Sequence, residues 1–281
     1  METGTLLSNL GPPKAAGKER GARRAWQPGA PPLAARHAKA LFYGGPMSYT
    51  RTMQRACIVG SSDGIGLATV RVLLAAGWQV TGVSRSASQI DHPHHAHFQS
   101  DVATREYRDL LQGLAREPFD AVIYCVGIGE RLALADLARE TRIFEVNLVA
   151  AVASAAIVLP SMLAAGRGHL IVLSSLADGL VSAEYPSYNA SKAGISSYFA
   201  GLASALGSTG VSVSQIRFGF VDTKLAKSSV KPFMITREAA AKVVVRTLRG
   251  GSRRVSYPRR MAFLVTVLRC LQAVRRLWSL S

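Results

Sequence analysis

Apolar residues in this chain gather into short strand-like runs separated by longer stretches of mixed character. These runs are 56–59, 78–83, 121–125, 169–173 and 211–216; 56–59 and 121–125 are unbroken, while 78–83 and 211–216 include polar residues. A run that does not alternate with polar residues suits a strand buried on both faces, as in a parallel sheet covered by helices. The stretches between the runs have helical composition. Residues 67–76 form one of them, and Gly77 follows where a left-handed helix terminus favours glycine. Strand and helix in alternation predict an α/β fold, a single doubly wound domain with a central parallel sheet flanked by helices. No internal repeat is present. The pattern divides the chain into an extension (1–52), the α/β domain (53–257) and a basic, apolar, amphipathic C-terminal helix (258–281).

The first apolar run leads directly into Gly-Ser-Ser-Asp-Gly-Ile-Gly. Gly60, Gly64 and Gly66 lie between strand and helix in a G-x-x-x-G-x-G spacing. They permit a tight turn and close approach of backbone to a phosphate at the helix N-terminus. Ser62, Asp63 and Ile65 belong to the same turn, and the segment is expected to bind a dinucleotide. The second run ends in Ser84-Arg85-Ser86. An acid at that strand end commonly holds the ribose 2′-hydroxyl of NAD, whereas an arginine suits the 2′-phosphate of NADP. Residues 81–88 contain no Asp or Glu, so Arg85 predicts a preference for NADP over NAD.

Tyr188 and Lys192 stand four residues apart in Tyr-Asn-Ala-Ser-Lys, one turn apart on one face of a helix. An adjacent ammonium favours the phenolate, so Lys192 is expected to lower the Tyr188 pKa from its ordinary value of about 10. In isolation such a pair more often marks a solvated helix face. Its companions change that reading. The glycine turn, Asp101-Val102, Phe-Glu-Val-Asn147-Leu, Ile-Val-Leu-Ser-Ser175, Tyr188, Lys192 and Val221-Asp222-Thr223 follow in order. Together they resemble the short-chain dehydrogenase/reductase family from about residue 55 to residue 255.

The resemblance implies a Rossmann-type domain and a tetrad of Asn147, Ser175, Tyr188 and Lys192. Tyr188 would be the general acid in carbonyl reduction and the general base in alcohol oxidation. Ser175 would donate a hydrogen bond to the substrate oxygen, Lys192 would hold the nicotinamide ribose, and Asn147 would organise a water leading to Lys192. The Asp101-Val102 pair is similar to one that contacts the adenine, and Val221 and Thr223 to a segment that holds the carboxamide. NADP, or NAD, would supply the hydride.

Two segments depart from the family pattern. Asn-Asn-Ala-Gly is replaced by Tyr124-Cys125-Val126-Gly127, and Pro-Gly by Phe218-Gly219. Gly127 still permits close backbone approach beside the cofactor, but no amide side chain remains there. Phe218 adds an aromatic wall at the nicotinamide end. These departures sustain an alternative, a cofactor-binding regulatory or scaffold protein of the same fold with little turnover. About thirteen residues, 224–236, lie between the carboxamide segment and the next helix, which predicts a short substrate lid.

Net charge is +17, concentrated at the ends. Residues 1–52 carry eight Lys/Arg and two Glu, and 249–281 carry eight Arg and no acid. The basic ends lack an aromatic platform or a recognition motif, so no nucleic-acid partner is expected. Residues 1–46, rich in Ala, Gly, Pro and Arg, read as disordered and dispensable, with Met47 or Met53 as alternative starts. Pro258 is placed to open the C-terminal helix. That helix is too short and too interrupted by Arg269 to span a bilayer. Its arginines and Trp278 suit peripheral contact with an anionic membrane surface; the alternatives are a subunit interface in a homo-oligomer or a helix that covers the core. Cys57, Cys125 and Cys270 form no disulfide framework, which favours a reducing, cytoplasmic setting. His92, His94, His95 and His97 are expected in a solvated loop ahead of the third strand, without metal. The substrate class expected is a small carbonyl/alcohol pair.

Overall fold

The structure is a computed structural model that describes residues 53–226, 229–251 and 253–278, with side chains as far as Val274. The extension, including Met47, and the Trp278 side chain lie outside the described residues. Seven strands form one sheet: β1 (Arg55–Val59), β2 (Gln79–Ser84), β3 (His95–Gln99), β4 (Ala121–Tyr124), β5 (Gly168–Ser175), β6 (Val211–Phe218) and β7 (Arg254–Tyr257). Their spatial order is β3-β2-β1-β4-β5-β6-β7 and every pairing is parallel. The order reverses between β1 and β4, where a doubly wound sheet opens a crevice beyond its strand ends.

The unbroken apolar runs are explained by two separate cores, one on each face. In β1, Cys57 and Val59 join Val122, Tyr124, Leu170 and Val172 on one face. Ala56 and Ile58 join Ile123, Ile171 and Ile216 on the other. The first face is covered by α2 (Arg105–Leu114), a long helix spanning 138–165, and α5 (Pro186–Ala205); the second by α1 (Gly64–Ala75) and α6 (Arg237–Gly250). The long helix comprises α3 (Ala138–Phe144), a π-helical turn (Glu145–Val149) and α4 (Ala150–Ala165). It is long and apolar enough to cross a membrane by composition, yet Ala150, Ala155 and Met162 are buried against the sheet. A last helix, α7 (Arg259–Trp278), follows β7.

Three elements differ from the sequence expectation. Trp78 precedes β2 rather than starting it, because its N–H closes the end of α1 on the Leu73 carbonyl, with Gly77 at φ +79° beside it. His95 and His97 lie within edge strand β3, not in a loop. His97 Nε2 is 2.8 Å from Ser84 Oγ and His95 Nε2 is 3.1 Å from Ser88 Oγ. The alternation His-Ala-His-Phe-Gln is that of a half-exposed edge, which an apolar-run criterion does not detect. β7, with the sequence Arg-Val-Ser-Tyr, is missed for the same reason. Pro258 immediately precedes α7, and its carbonyl accepts from Ala262 N–H at 3.1 Å.

Candidate active site

The glycine turn joins β1 to α1 at the crevice. Gly60 and Gly64 adopt φ of +88° and +56°, a region that L side chains rarely enter. Gly66 has an ordinary φ, but a Cβ there would collide with the Gly60 carbonyl, whose carbon lies 2.8 Å from that point. The turn is therefore a cradle with no room for side chains, and the first-turn N–H groups of α1 face outward without intrahelical partners. Asp63 caps this end by accepting from Gly64 N–H at 2.7 Å. Lys224 Nζ lies 2.7 Å from its other oxygen and Arg237 4.0 Å away. The hydrogen bond from Lys224 and then that from Gly64 hold the Asp63 carboxyl below its ordinary pKa. Ser62 is half-buried beside it, while Ser61 Oγ is buried with no hydrogen-bond partner among the described residues. A backbone cradle at a helix N-terminus fits the phosphates of a dinucleotide.

A cavity of about 480 Å³ starts at this cradle. Gly64, Ile65 and Gly66 line one end. Gly127, Ser175, Tyr188 and Lys192 line its centre, and Val221 and Thr223 a further wall. Ser175 ends β5, where its Oγ accepts from Ala177 N–H at 3.1 Å to start a 3-10 turn, Leu176–Gly179. Pro186 opens α5 at a first-turn position that needs no N–H. This puts Tyr188 in the first turn and Lys192 one turn later, where the crevice cuts into the helix face.

Electrostatics in the cavity overturn one expectation. Tyr188 is raised above its ordinary pKa, not lowered. Burial is the main cause; the hydrogen bond from Ser175 offsets part of it, and the Asp178 carboxylate adds to it. Lys192 Nζ sits 5.9 Å from the Tyr188 ring centroid and donates to the Leu173 carbonyl at 3.1 Å. The ammonium is therefore engaged with backbone, and burial sets the direction of the phenol's shift. Burial also depresses Lys192 to about 8. Below pH 8 the folded and unfolded chains both carry this proton and the full cost of burying the charge remains. Between about 8 and 10.5 the unfolded chain holds a proton that the folded chain has released, so stability rises with pH in that window. Lys192→Met is accordingly expected to be more stable than wild type below pH 8, with the two urea midpoints converging toward pH 10.5. Urea titrations at pH 6, 8 and 10 measure this directly.

Asn147 lies behind the cavity, fully buried in the π-helical turn. Its amide clamps the loop after β4: Oδ1 accepts from Ile128 N–H at 2.8 Å and Nδ2 donates to Ile128 O at 2.9 Å. Nδ2 also reaches Ser191 Oγ at 3.0 Å. Gly127, held by that clamp, leaves space that Lys192 Nζ fills, 3.1 Å from where a Cβ would stand. The departure at Tyr124 is explained here. Its phenol donates to the Val146 carbonyl at 2.6 Å, satisfying backbone in the turn that carries Asn147. Cys125 lines the cavity as a protonated thiol, pushed up to about 12 by burial. Phe218 ends β6 and lines the cavity.

Six expected cofactor residues are outside the lining of this cavity: Ser62 and Asn147, described above, and four more. Arg85 is exposed at the end of β2. Asp101 accepts from Ala103 N–H at 3.0 Å and pairs with Arg142 at 2.7 Å. Val102 is buried in the core. Gly60 forms the floor of the turn, against Cys125 and Val126. Residues not foreseen include Tyr124 and Ser191, which position Asn147, and Asp178, which acts on Tyr188. Met261 and Val265 of α7 also wall the cavity. Their i, i+4 spacing was the available signal.

Residues 54–232 match the profile of the short chain dehydrogenase family. The chain belongs to that family. An uncharacterised oxidoreductase from Myxococcus xanthus (strain DK1622) is 29% identical over 233 residues, covering 77% of this chain and 90% of its own. Another from Staphylococcus haemolyticus (strain JCSC1435) is 28% identical over 186 residues, 62% of this chain and 80% of its own. Among solved structures, a short-chain dehydrogenase from Burkholderia cenocepacia J2315 in complex with NADP superposes with TM-score 0.69 at 21% identity, covering 80% of this chain and 95% of that one. One from Streptomyces avermitilis gives TM-score 0.69 at 20% identity, covering 81% and 97%. The protein is thus an oxidoreductase of the short chain dehydrogenase family, with the seven-stranded parallel sheet of its structural neighbours.

Proposed function

We propose that the protein transfers a hydride between NADP, in preference to NAD, and a carbonyl/alcohol substrate, with Tyr188 as general acid/base. The reading is carried by the convergence of Ser175, Tyr188 and Lys192 on one cavity that begins at the glycine cradle. A bound nicotinamide supplies the hydride. The turn at Gly60–Gly66 would hold the pyrophosphate through backbone N–H groups, while the Asp63 carboxylate serves as helix cap. Ser175 would donate to the substrate oxygen, and Tyr188 would pass it a proton. A phenol held above its ordinary pKa is protonated at neutral pH, which suits the acid role in carbonyl reduction. Lys192 would stabilise the phenolate left behind and hold the ribose. Asn147 would act as a positioning residue, fixing Ile128 and Gly127 beside Lys192. The apolar lining from Leu176, Leu180 and Met261 favours a lipophilic substrate.

The NADP preference rests on Arg85, exposed at the end of β2 and free of any carboxylate partner among the described residues. The NADP bound to the Burkholderia relative is consistent with it. Arg85→Ala is expected to raise the KM for NADPH about 30-fold, the loss of a charge-assisted bidentate contact, with NADH unaffected. Equal effects on both cofactors would remove Arg85 from cofactor choice. The decisive test is NADPH and NADH binding by calorimetry, followed by turnover on a panel of ketones, aldehydes and alcohols. Tight cofactor binding without turnover on any of them would favour a regulatory role. The reducing cytoplasm suits this activity, and Cys57, pushed up to about 12 by burial, would be inert there.

A further inference from the structure

α7 leans on the domain through Met261 and Val265, and its opposite face is apolar. Phe263, Val267, Leu271 and Val274 recur at four- and three-residue intervals, forming one stripe along the helix. All four are exposed, Phe263 at 73% and Leu271 at 60%, so nothing among the described residues covers them. On the flank of the stripe lies a second cavity of about 560 Å³. Its walls carry Arg217, Arg254, Arg259 and Arg269 with Ser256 and Thr266.

Asp178 neutralises Arg217 through a buried ion pair. Arg254, Arg259 and Arg269 pair with no carboxylate among the described residues. Arg269 Nη1 and Arg217 Nη2 each come within 3.9 Å of the point where a Cβ on Gly179 would stand. Arg254, Arg259 and Arg269 thus put three guanidinium groups without a carboxylate partner on the walls of one cavity, where like charges repel. An anion among them reverses the sign of that interaction, and the arginine fork matches phosphate oxygens bidentately. From Arg249 to Ser281 the sequence contains eight arginines and no acid. Pairing α7 with the same helix of a second copy would therefore set like charges together. An anionic bilayer supplies both missing partners, phosphates for the arginines and an apolar boundary for the stripe.

We propose that α7 lies on an anionic phospholipid surface, with its apolar stripe at the headgroup–acyl boundary and a lipid phosphate seated among Arg254, Arg259 and Arg269. This seat is independent of the catalytic reading. The test is co-sedimentation of the full chain with vesicles of phosphatidylcholine and of an equimolar phosphatidylcholine–phosphatidylglycerol mixture. Binding is expected to the anionic vesicles only, and to weaken as salt rises. The double variant Arg259→Ala/Arg269→Ala should bind on the order of 25-fold more weakly, roughly fivefold per arginine. Phe263→Ser/Leu271→Ser should also lose at least about tenfold. Both variants are expected to keep the wild-type unfolding temperature, and the basic residues 1–52 are common to all three proteins. Equal affinity for the two vesicle types, or an arginine variant that binds like wild type, would overturn the proposal. So would a dimer that the Phe263/Leu271 variant dissociates, which assigns the stripe to a second copy. Arginine-dependent binding of inorganic pyrophosphate without vesicle binding would overturn it too, in favour of a soluble phosphate ligand.

Discussion

Tyr188→Phe is expected to lower the turnover number for carbonyl reduction by about 10³-fold, within the range that a positioned general acid contributes. NADPH affinity should change by less than about threefold, since the glycine cradle, not the phenol, is proposed to hold the dinucleotide. The unfolding temperature should hardly move, because the phenol's hydrogen-bond partner is the Ser175 hydroxyl, which also lines the open cavity. Single-turnover kinetics with saturating NADPH separate these effects. Wild-type turnover in this variant would remove Tyr188 from the chemistry, and a parallel loss of NADPH binding would reassign it to the cofactor site. Lys192 cannot substitute as the acid. Its proton is held at about 8 by burial, but its ammonium is directed at the Leu173 carbonyl.

Gly66→Ala has the largest structural effect expected in the domain. The new methyl group would meet the Gly60 carbonyl, which is backbone and cannot swing aside. Relief requires moving β1 away from α1, and β1 is paired on both sides, to β2 and β4. A cost of about 3 kcal/mol is expected, typical of overpacking against rigid surroundings. For a domain of this size that corresponds to a fall of roughly 6–12 °C in unfolding temperature. NADPH binding should be lost as well, because displacement of the turn re-aims the N–H groups at the helix terminus. Thermal unfolding with and without NADPH measures both. Gly77→Ala is the control. Gly77 has positive φ but open space around it, so it should lose some stability and keep NADPH binding.

β1 and β4 were legible because burial on both faces writes an unbroken apolar run, at 56–59 and 121–125. The edges were not. Among the described residues β3 and β7 each have one neighbouring strand and are partly exposed, so polar side chains such as His95 and Arg254 are tolerated and no run forms. His95 and His97 were misplaced for that reason, whereas His92 and His94 do precede β3. Motif residues near the turn and on α5 were legible because local geometry dictates them, through glycine φ angles or helical spacing. Tyr124 illustrates the opposite case. In the sequence it is a departure from a familiar segment; in the fold its phenol reaches across to Val146, 22 residues away, to complete the turn that holds Asn147.

The sequence alone determined the order of the five inner strands and the helices between them, the cradle at Gly60–Gly66 and the presence of a phenol and an ammonium on one turn of helix. These depend on backbone sterics and on periodicity, which are properties of neighbouring residues. Only the tertiary structure decided the sign of the Tyr188 shift. Spacing places Lys192 one turn away, but burial depends on what the rest of the chain packs around the pair, and burial is the main cause of the shift. The same holds for the arginines at the C-terminus. Arg217, Arg254, Arg259 and Arg269 are scattered in sequence, and only the meeting of β6, β7 and α7 gathers their charges around one cavity.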